Sequence, residues 1–308
     1  MTALDEFRLE TRSWLAANCP ASMRVSVPED QIVGGGKRQV YENPEAKVWL
    51  DNMASKGWTA PTWPTEYGGG GLSSEEEKIL EKEMARLHCR PPLYDLGLWM
   101  LGPALLVHGN EEQKREHITK IVRGDIRWAQ GYSEPAAGSD LASLKTRADD
   151  KGDHFLVNGT KIWTTQADKA DWIFTLVRTD ATGNKHQGIS FLLIDMRSPG
   201  VTTTPIELIS GESEFCQTFF DDVKVPKDNL VGGLNNGWLV AKELLKHERK
   251  LMATMESIVQ REDESLIELA TQYIGMDGSG KLNDSSIRAR ITEQLMTAEA
   301  LEYLNERL

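Results

Sequence analysis

Two short segments hold the side chains best suited to grip a planar polar ligand. The first, Gly131-Tyr132-Ser133-Glu134-Pro135-Ala136-Ala137-Gly138-Ser139-Asp140, mixes hydroxyls with small residues that leave backbone N–H groups open. That composition suits a polar ring edge or a phosphate. The second, Asn158-Gly159-Thr160-Lys161-Ile162-Trp163-Thr164-Thr165, reads as a turn followed by an aromatic flanked by hydroxyls, able to stack on and bond a heterocycle. Trp163 taken without its neighbours reads as a core residue. Further on, Leu245-Lys246-His247-Glu248-Arg249 places a carboxylate on a helix. Beside apolar surface, desolvation would raise its pKa toward the range of a general base. Glu248 and Arg249 also read as an ordinary charged pair on a solvated helix face.

Other chemistries find less support. His88, His108, His117, His154, His186 and His247 show no ligand spacing, and Cys19, Cys89 and Cys216 are odd in number, widely spaced and without a C-x-x-C pair. Neither a metal site nor a disulfide framework is expected, and a reducing cytosol fits. Gly275 to Lys281 spells G-x-x-x-x-G-K, but Leu282 follows where a P-loop needs Ser or Thr, and the preceding stretch reads as helix. No G-x-G-x-x-G fingerprint is present, which argues against a Rossmann dinucleotide domain. A net charge of −12 without a Lys/Arg block makes nucleic acid and anionic membrane poor partners. The polar start has no apolar signal core and no window approaches ~18 uninterrupted apolar residues, so the expected location is cytoplasmic, without membrane insertion.

The 308 residues, 40% of them apolar, suffice for several layers of structure. Helical periodicity with polar starts and Gly or Pro stops runs over Asp5–Asn18, Asn43–Lys56, Ser73–His88, Leu93–His108 and Glu111–Val122. The glycine runs 34–36 and 68–71 follow no β-branched strand and read as loops. From about Arg127 the texture turns to β-branched and aromatic runs, among them His154–Asn158, Trp172–Arg178, Ile189–Met196 and Val223–Val225. Helical periodicity returns after Gly237, from Trp238 to about Tyr273 and, past a turn-rich stretch, from Ser286 to Leu308. The expected fold is α+β in three parts: an N-terminal helical domain over 1–126, a β domain over 127–232 and a C-terminal helical domain over 233–308.

Together the two motifs resemble the acyl-CoA dehydrogenase family, whose mid-chain pattern is an aromatic-small-[ST]-Glu-Pro-x-Ala-Gly-Ser-Asp loop followed by Asn-Gly-x-Lys-x-Trp-x-[ST]. Trp63 to Gly69, Gly109 to Lys114 and Phe219 to Leu230 match further stretches. The resemblance covers essentially the whole chain. It implies a helical domain, a β-barrel-like middle domain and a helical bundle, with FAD as cofactor and an acyl-CoA as substrate. Gln130, Tyr132, Ser133, Ser139, Trp163 and Thr165 are the implied FAD contacts: Ser133 and Thr165 bond the isoalloxazine, Trp163 packs on the ring, and Ser139 lies near a cofactor or CoA phosphate. The implied reaction gives a trans-2-enoyl-CoA as a base removes the α-proton and flavin N5 takes the β-hydride.

Most of the family carries its base near the C-terminus in a Tyr-Glu-Gly-Thr segment that this chain does not reach. A branch similar to the isovaleryl and long-chain enzymes uses a Glu before an Arg on the first long C-terminal helix, and Glu248 falls on that position. Arg249 matches a residue that supports the site and CoA. The His-Glu-Arg version resembles actinobacterial enzymes acting on CoA thioesters of sterol side chains. An Arg-x-x-Phe-Gly element found in many relatives has no counterpart; the corresponding residues are Gln272 to Asp277. The uncapped final helix points to a shortened bundle with an exposed apolar face. Implied partners are an electron-transferring flavoprotein and either a second copy, as dimer or tetramer, or a related subunit. A catalytically silent subunit of a heteromer and an oxygen-using flavin monooxygenase are the competing readings.

Overall fold

The computed structural model describes residues 2–25, 28, 31–258 and 265–305. These fall into two units, 1–249 and 250–308.

In the first unit, short-range chemistry starts each early helix. Thr2 and Asp5 form a capping box ahead of α1 (Ala3–Asn18), and Asn43 caps α2 (Pro44–Ser55) with proline in its first turn. Ser73 with Glu76 does the same for α3 (Ser74–Arg86). A π-helical stretch, Gly97–Leu101, leads into α4 (Gly102–His108). Asn110 and Gln113 box the start of α5 (Glu111–Gln113), which passes through a second π-helical stretch, Lys114–Ile118, into α6 (Thr119–Arg123). Gly124, at φ 67°, ends α6 in the left-handed conformation that glycine adopts without penalty. Leu15, Trp49, Leu50, Met53 and Leu80 form the core of this layer.

The strands are β1 (Trp128–Gly131), β2 (Arg147–Asp150), β3 (His154–Thr165), β4 (Trp172–Arg178), β5 (Ile189–Asp195), β6 (Val201–Ile206), β7 (Phe215–Pro226) and β8 (Leu230–Val231). Among the described residues they form one eight-stranded sheet in the order β6-β7-β3-β2-β4-β5-β8, with β1 parallel to β4. Alternation serves both faces of the sheet. Ile173, Val177, Leu192 and Ile194 join Phe155, Val157, Phe220 and Val225 in one core. Trp128, Phe174, Leu176, Phe191 and Leu193 face the other way, against Leu101, Leu105 and Ile121 of the helical layer and Val240, Ala241 and Leu244 of α7 (Gly237–Ile258). Helices and sheet are tied by side chains. Asp95 accepts from the Trp128 amide at 3.0 Å, and Gln113 Nε2 donates to the carbonyls of Asp228 and Leu230 at 2.6 and 2.9 Å.

Two expectations need correction. Asn158-Gly159 is no turn: it lies inside β3, which runs on to Thr165 with register shifts against β7. The glycine is required because a Cβ there would stand 2.6 Å from the Thr146 backbone. The apolar side chains of the last helix do not form one face either. In the second unit, α8 (Leu266–Ile274) is boxed by Ser265 and Glu268, and Asp284 caps α9 (Ser285–Asn305) through the amides of Ser286 and Ile287. Leu295, Met296, Leu301, Tyr303 and Leu304 are exposed but spread around α9. The single helix expected from Trp238 to Tyr273 crosses residues 259–264, which lie outside the described residues. Gly275 to Lys281 follows helix α8 and closes in a turn around Asp277, where the Ser279 and Lys281 amides reach its carboxylate.

Candidate active site

Glu134 of the first motif and Lys161 of the second are a buried ion pair, Nζ to Oε1 at 2.7 Å, with side-chain exposures of 7% and 0%. Glu134 also accepts from the amides of Lys145 and Thr146, at 2.6 and 2.9 Å, and Lys161 donates to the Tyr132 carbonyl at 3.2 Å. Burial pushes the Glu134 carboxyl up, but Lys161 and the backbone donors together hold it below its usual value. Burial pulls the Lys161 ammonium down despite Glu134. The Glu-Pro loop is thereby clamped to β3, and the Ile162 amide donates to the Ser133 carbonyl at 2.9 Å. Gly131 permits a close approach of β1 to β4, since a Cβ would meet Thr175 Oγ1 at 2.7 Å.

Beyond Lys161 the strand carries one residue too many for its partner. Lys161 faces Thr218 and Thr164 faces Cys216, so Ile162 and Trp163 together oppose Gln217. The bulge puts Trp163 at φ 59°, a left-handed conformation unusual for a bulky side chain. Its ring meets Phe215 edge-on at 5.9 Å and the residue is 53% exposed. Thr165 is exposed and Ser133 half-buried. An exposed aromatic face on a rigid bulge, next to the Ser133 loop, is what a planar heterocycle with a polar edge requires.

A second group gathers where β1 meets α7. Gln130 and Tyr132 share the face of β1 that also carries Trp128. On α7, Ala241, Leu244 and Glu248 recur at helical spacing, so Glu248 sits on the buried side of the helix and is itself half-buried. Gln130 Nε2 donates to Glu248 Oε2 at 3.4 Å. Among the described residues, Glu243 pairs with Lys246 at 2.7 Å and with the His247 ring at 3.6 Å, when that ring is charged. Arg249, the next residue, is exposed.

Tyr132 is 6% exposed, edge-on to Phe174 and Phe191 at 6.1 and 6.5 Å. Its hydroxyl has no hydrogen-bond partner among the described residues, and burial first, then the Glu248 charge, push the phenol well above its usual pKa. A buried donor without a partner is costly unless a ligand or water supplies one. Ser139 is exposed, on a loop held by Asp140 through Ser143 at 2.5 Å and Lys185 at 2.7 Å. The structure thus brings Ser133 to the Trp163 bulge and Gln130 and Tyr132 to the Glu248 helix, while Ser139 lies on a separate exposed loop. The role of Glu134 and Lys161 is absent from the sequence reading. The trace there is a glutamate in one motif, which also ends on Asp140, and a single lysine in the other.

The chemistry of these groups fits FAD: an exposed aromatic ring, nearby hydroxyls and a buried phenol that has no partner among the described residues.

Residues 36–125 match the family model for the acyl-CoA dehydrogenase N-terminal domain, and 129–223 that for the acyl-CoA dehydrogenase middle domain. The chain is 37% identical over 293 residues to acyl-CoA dehydrogenase IpdE1 of Mycobacterium tuberculosis, covering 95% of this chain and 74% of that one. It superposes on the solved Tcur3481-Tcur3483 steroid ACAD with a TM-score of 0.76 at 34% identity, over 99% of this chain and 75% of that one. For the ChsE4-ChsE5 complex from Mycobacterium tuberculosis the TM-score is 0.72 at 29% identity, covering 100% and 76%. Fold, motifs and relatives agree, and the chain belongs to the acyl-CoA dehydrogenase family of FAD-dependent oxidoreductases.

Proposed function

We propose that this protein dehydrogenates an acyl-CoA thioester between its α and β carbons to the trans-2-enoyl-CoA, with Glu248 as the base. The observation that carries the reading is the half-buried Glu248 carboxylate, set on the packed side of α7 and 3.4 Å from the Gln130 amide on the strand that leads into the Ser133 loop. Bound FAD supplies the hydride acceptor. Glu248 takes the α-proton onto its carboxylate. Gln130 orients that carboxylate with one donated hydrogen bond, leaving the other oxygen for the substrate. Leu244 and Leu245 keep the approach apolar. Trp163 packs on the flavin ring, Ser133 and Thr165 bond its polar edge, and Tyr132 offers its buried hydroxyl on the Glu248 side. Arg249 and Ser139, both exposed, suit the phosphates of CoA or cofactor.

The substrate class we favour is the CoA thioester of a steroid, on the similarity to the steroid ACAD. An association with a second, related chain is supported by the two-chain complex among the relatives. A second reading, in which this chain is a silent subunit and its partner turns over, is consistent with such a complex. An electron-transferring flavoprotein as acceptor, a cytoplasmic location and division at 126/127 and 232/233 complete the proposal. The division is supported by the change to strand at Trp128 and back to helix at Gly237. Among the described residues no helix is long and apolar enough to cross a membrane.

The test is anaerobic addition of a steroid acyl-CoA to the purified flavoprotein and to Glu248→Gln. Bleaching of the flavin band in the parent alone supports the reading. Bleaching in both moves the base elsewhere, and flavin binding without bleaching in either supports the silent subunit.

A further inference from the structure

β1 carries Gln130 and runs into the Ser133 loop, yet the sheet by itself holds this strand weakly. It has four residues, lies off the main strand path, and its ladder partner among the described residues is β4 alone, in parallel. Parallel pairing is the less stable kind per residue, and a strand with a ladder on one side has nothing on the other to fix its height. The position of β1 therefore depends on side chains from outside the ladder.

Three buried side chains supply that support. At the start of the strand, Asp171 Oδ2 accepts the Arg127 amide at 3.1 Å, and Asp95 Oδ2 accepts the next amide, that of Trp128, at 3.0 Å. Asp95 is 3% exposed, and its other oxygen accepts the Gly97 amide at 2.8 Å, which ties β1 to the π-helical stretch ahead of α4. Gly97 leaves room for this: a Cβ there would stand 2.4 Å from both Asp95 Oδ1 and Trp128 Cδ1. At the far end of the strand, Thr175 Oγ1 donates to the Gly131 carbonyl at 2.7 Å. Thr175 is fully buried in β4 between Phe174 and Leu176, the one hydroxyl in a run that is otherwise apolar from Trp172 to Val177. A hydroxyl in such surroundings is accounted for by a specific partner, and here the partner is the β1 backbone.

Gln130 lies between the two anchored ends. Its Nε2 reaches Glu248 Oε2 at 3.4 Å, the long end of a hydrogen bond. A further shift of about 0.2 Å would break the contact. We propose that Asp95 and Thr175 are positioning residues for the proton transfer, holding β1 at the height where Gln130 orients the Glu248 carboxylate. The proposal rests on Glu248 being the base. Neither residue exchanges the proton itself. Both Asp95 oxygens are engaged by backbone amides, and Thr175 lies on the face of the sheet turned away from α7, with Ile173 and Val177.

Flavin bleaching by a steroid acyl-CoA is followed anaerobically, as a rate per bound flavin, in Thr175→Val, Thr175→Ser and Asp95→Asn, each alone and combined with Gln130→Ala. Thr175→Val keeps the shape of the side chain and removes the hydroxyl. Its limiting rate should fall by about 10- to 10²-fold, with half-saturation at the substrate concentration of the parent, and Thr175→Ser should retain most of the parent rate. Asp95→Asn keeps one acceptor oxygen, should show the same loss, and decides the matter where Thr175→Val does not fold. In the Gln130→Ala chain neither substitution should slow bleaching further, because the contact they hold in place is already gone. A loss of the same size in that chain, or an unchanged rate in both single variants, overturns the proposal. Glu248→Gln beside them separates the two readings. Bleaching at the parent rate there removes the base assignment and the proposal with it, whereas slow bleaching there, with losses that persist in the Gln130→Ala chain, removes the proposal alone.

Discussion

Lys161 Nζ lies 2.7 Å from Glu134 Oε1 with both side chains removed from water, and this contact locks the two sequence motifs to one another. Glu134 spends its remaining capacity on the Lys145 and Thr146 amides, so it organises the loop and is not free for proton transfer. Removing the ammonium in Lys161→Met leaves a buried carboxylate unpaired, which costs about 3–5 kcal/mol. Denaturant unfolding should show that loss, and Glu134→Gln in the same chain should recover part of it. A loss below about 1 kcal/mol would mean that the pair is effectively solvated.

Glu248→Gln keeps the size of the side chain and its acceptor oxygen toward Gln130, but not the base. Turnover of an acyl-CoA should fall by about 10²–10⁴-fold, the usual worth of a positioned acid–base group, with flavin content and melting temperature close to the parent. Equal turnover would remove Glu248 from the chemistry.

Trp163→Gly separates cofactor binding from folding. Loss of the edge-on contact with Phe215 costs roughly 0.5–1.5 kcal/mol, while glycine relieves about 1 kcal/mol of strain at a left-handed position. Stability should thus change little, whereas the flavin absorbance of the purified protein should drop several-fold. A variant that unfolds but retains flavin would contradict the assignment of the exposed ring to the cofactor.

His117 supplies a pH dependence. It is 4% exposed between Trp128 and Trp172, and burial lowers its pKa from 6.5 to about 4, against the opposing pull of Glu116. A base with a depressed folded pKa contributes stability that is complete above its unfolded value and is lost as pH falls through the folded one. Between those pH values up to about 3 kcal/mol is at stake. Melting temperatures should decline across that window in the parent and less steeply in His117→Phe. Parallel profiles would show that the ring is solvated.

Local preferences account for what was legible in the sequence. Thr2, Asn43, Ser73 and Asn110 start helices because their side chains reach amides within the next turn, and the nearly unbroken apolar runs along Trp172–Arg178 and Ile189–Asp195 mark strands covered on both faces. The chemical types at Ser133, Trp163, Thr165 and Glu248 were equally visible, as was their likeness to one family. Tertiary structure decided the rest, because burial and pairing depend on what the chain returns from a distance. Which carboxylate is structural follows from Lys161 arriving on another strand. The exposure of Trp163 follows from a one-residue register shift against β7, and Asn158-Gly159 continues a strand because β7 pairs with it. Glu248 lies on the packed side of α7 only because β1 and its Gln130 lie there, and α1 lies beside α3 because Arg12 finds Glu83. No interaction within a single turn or strand contains that information.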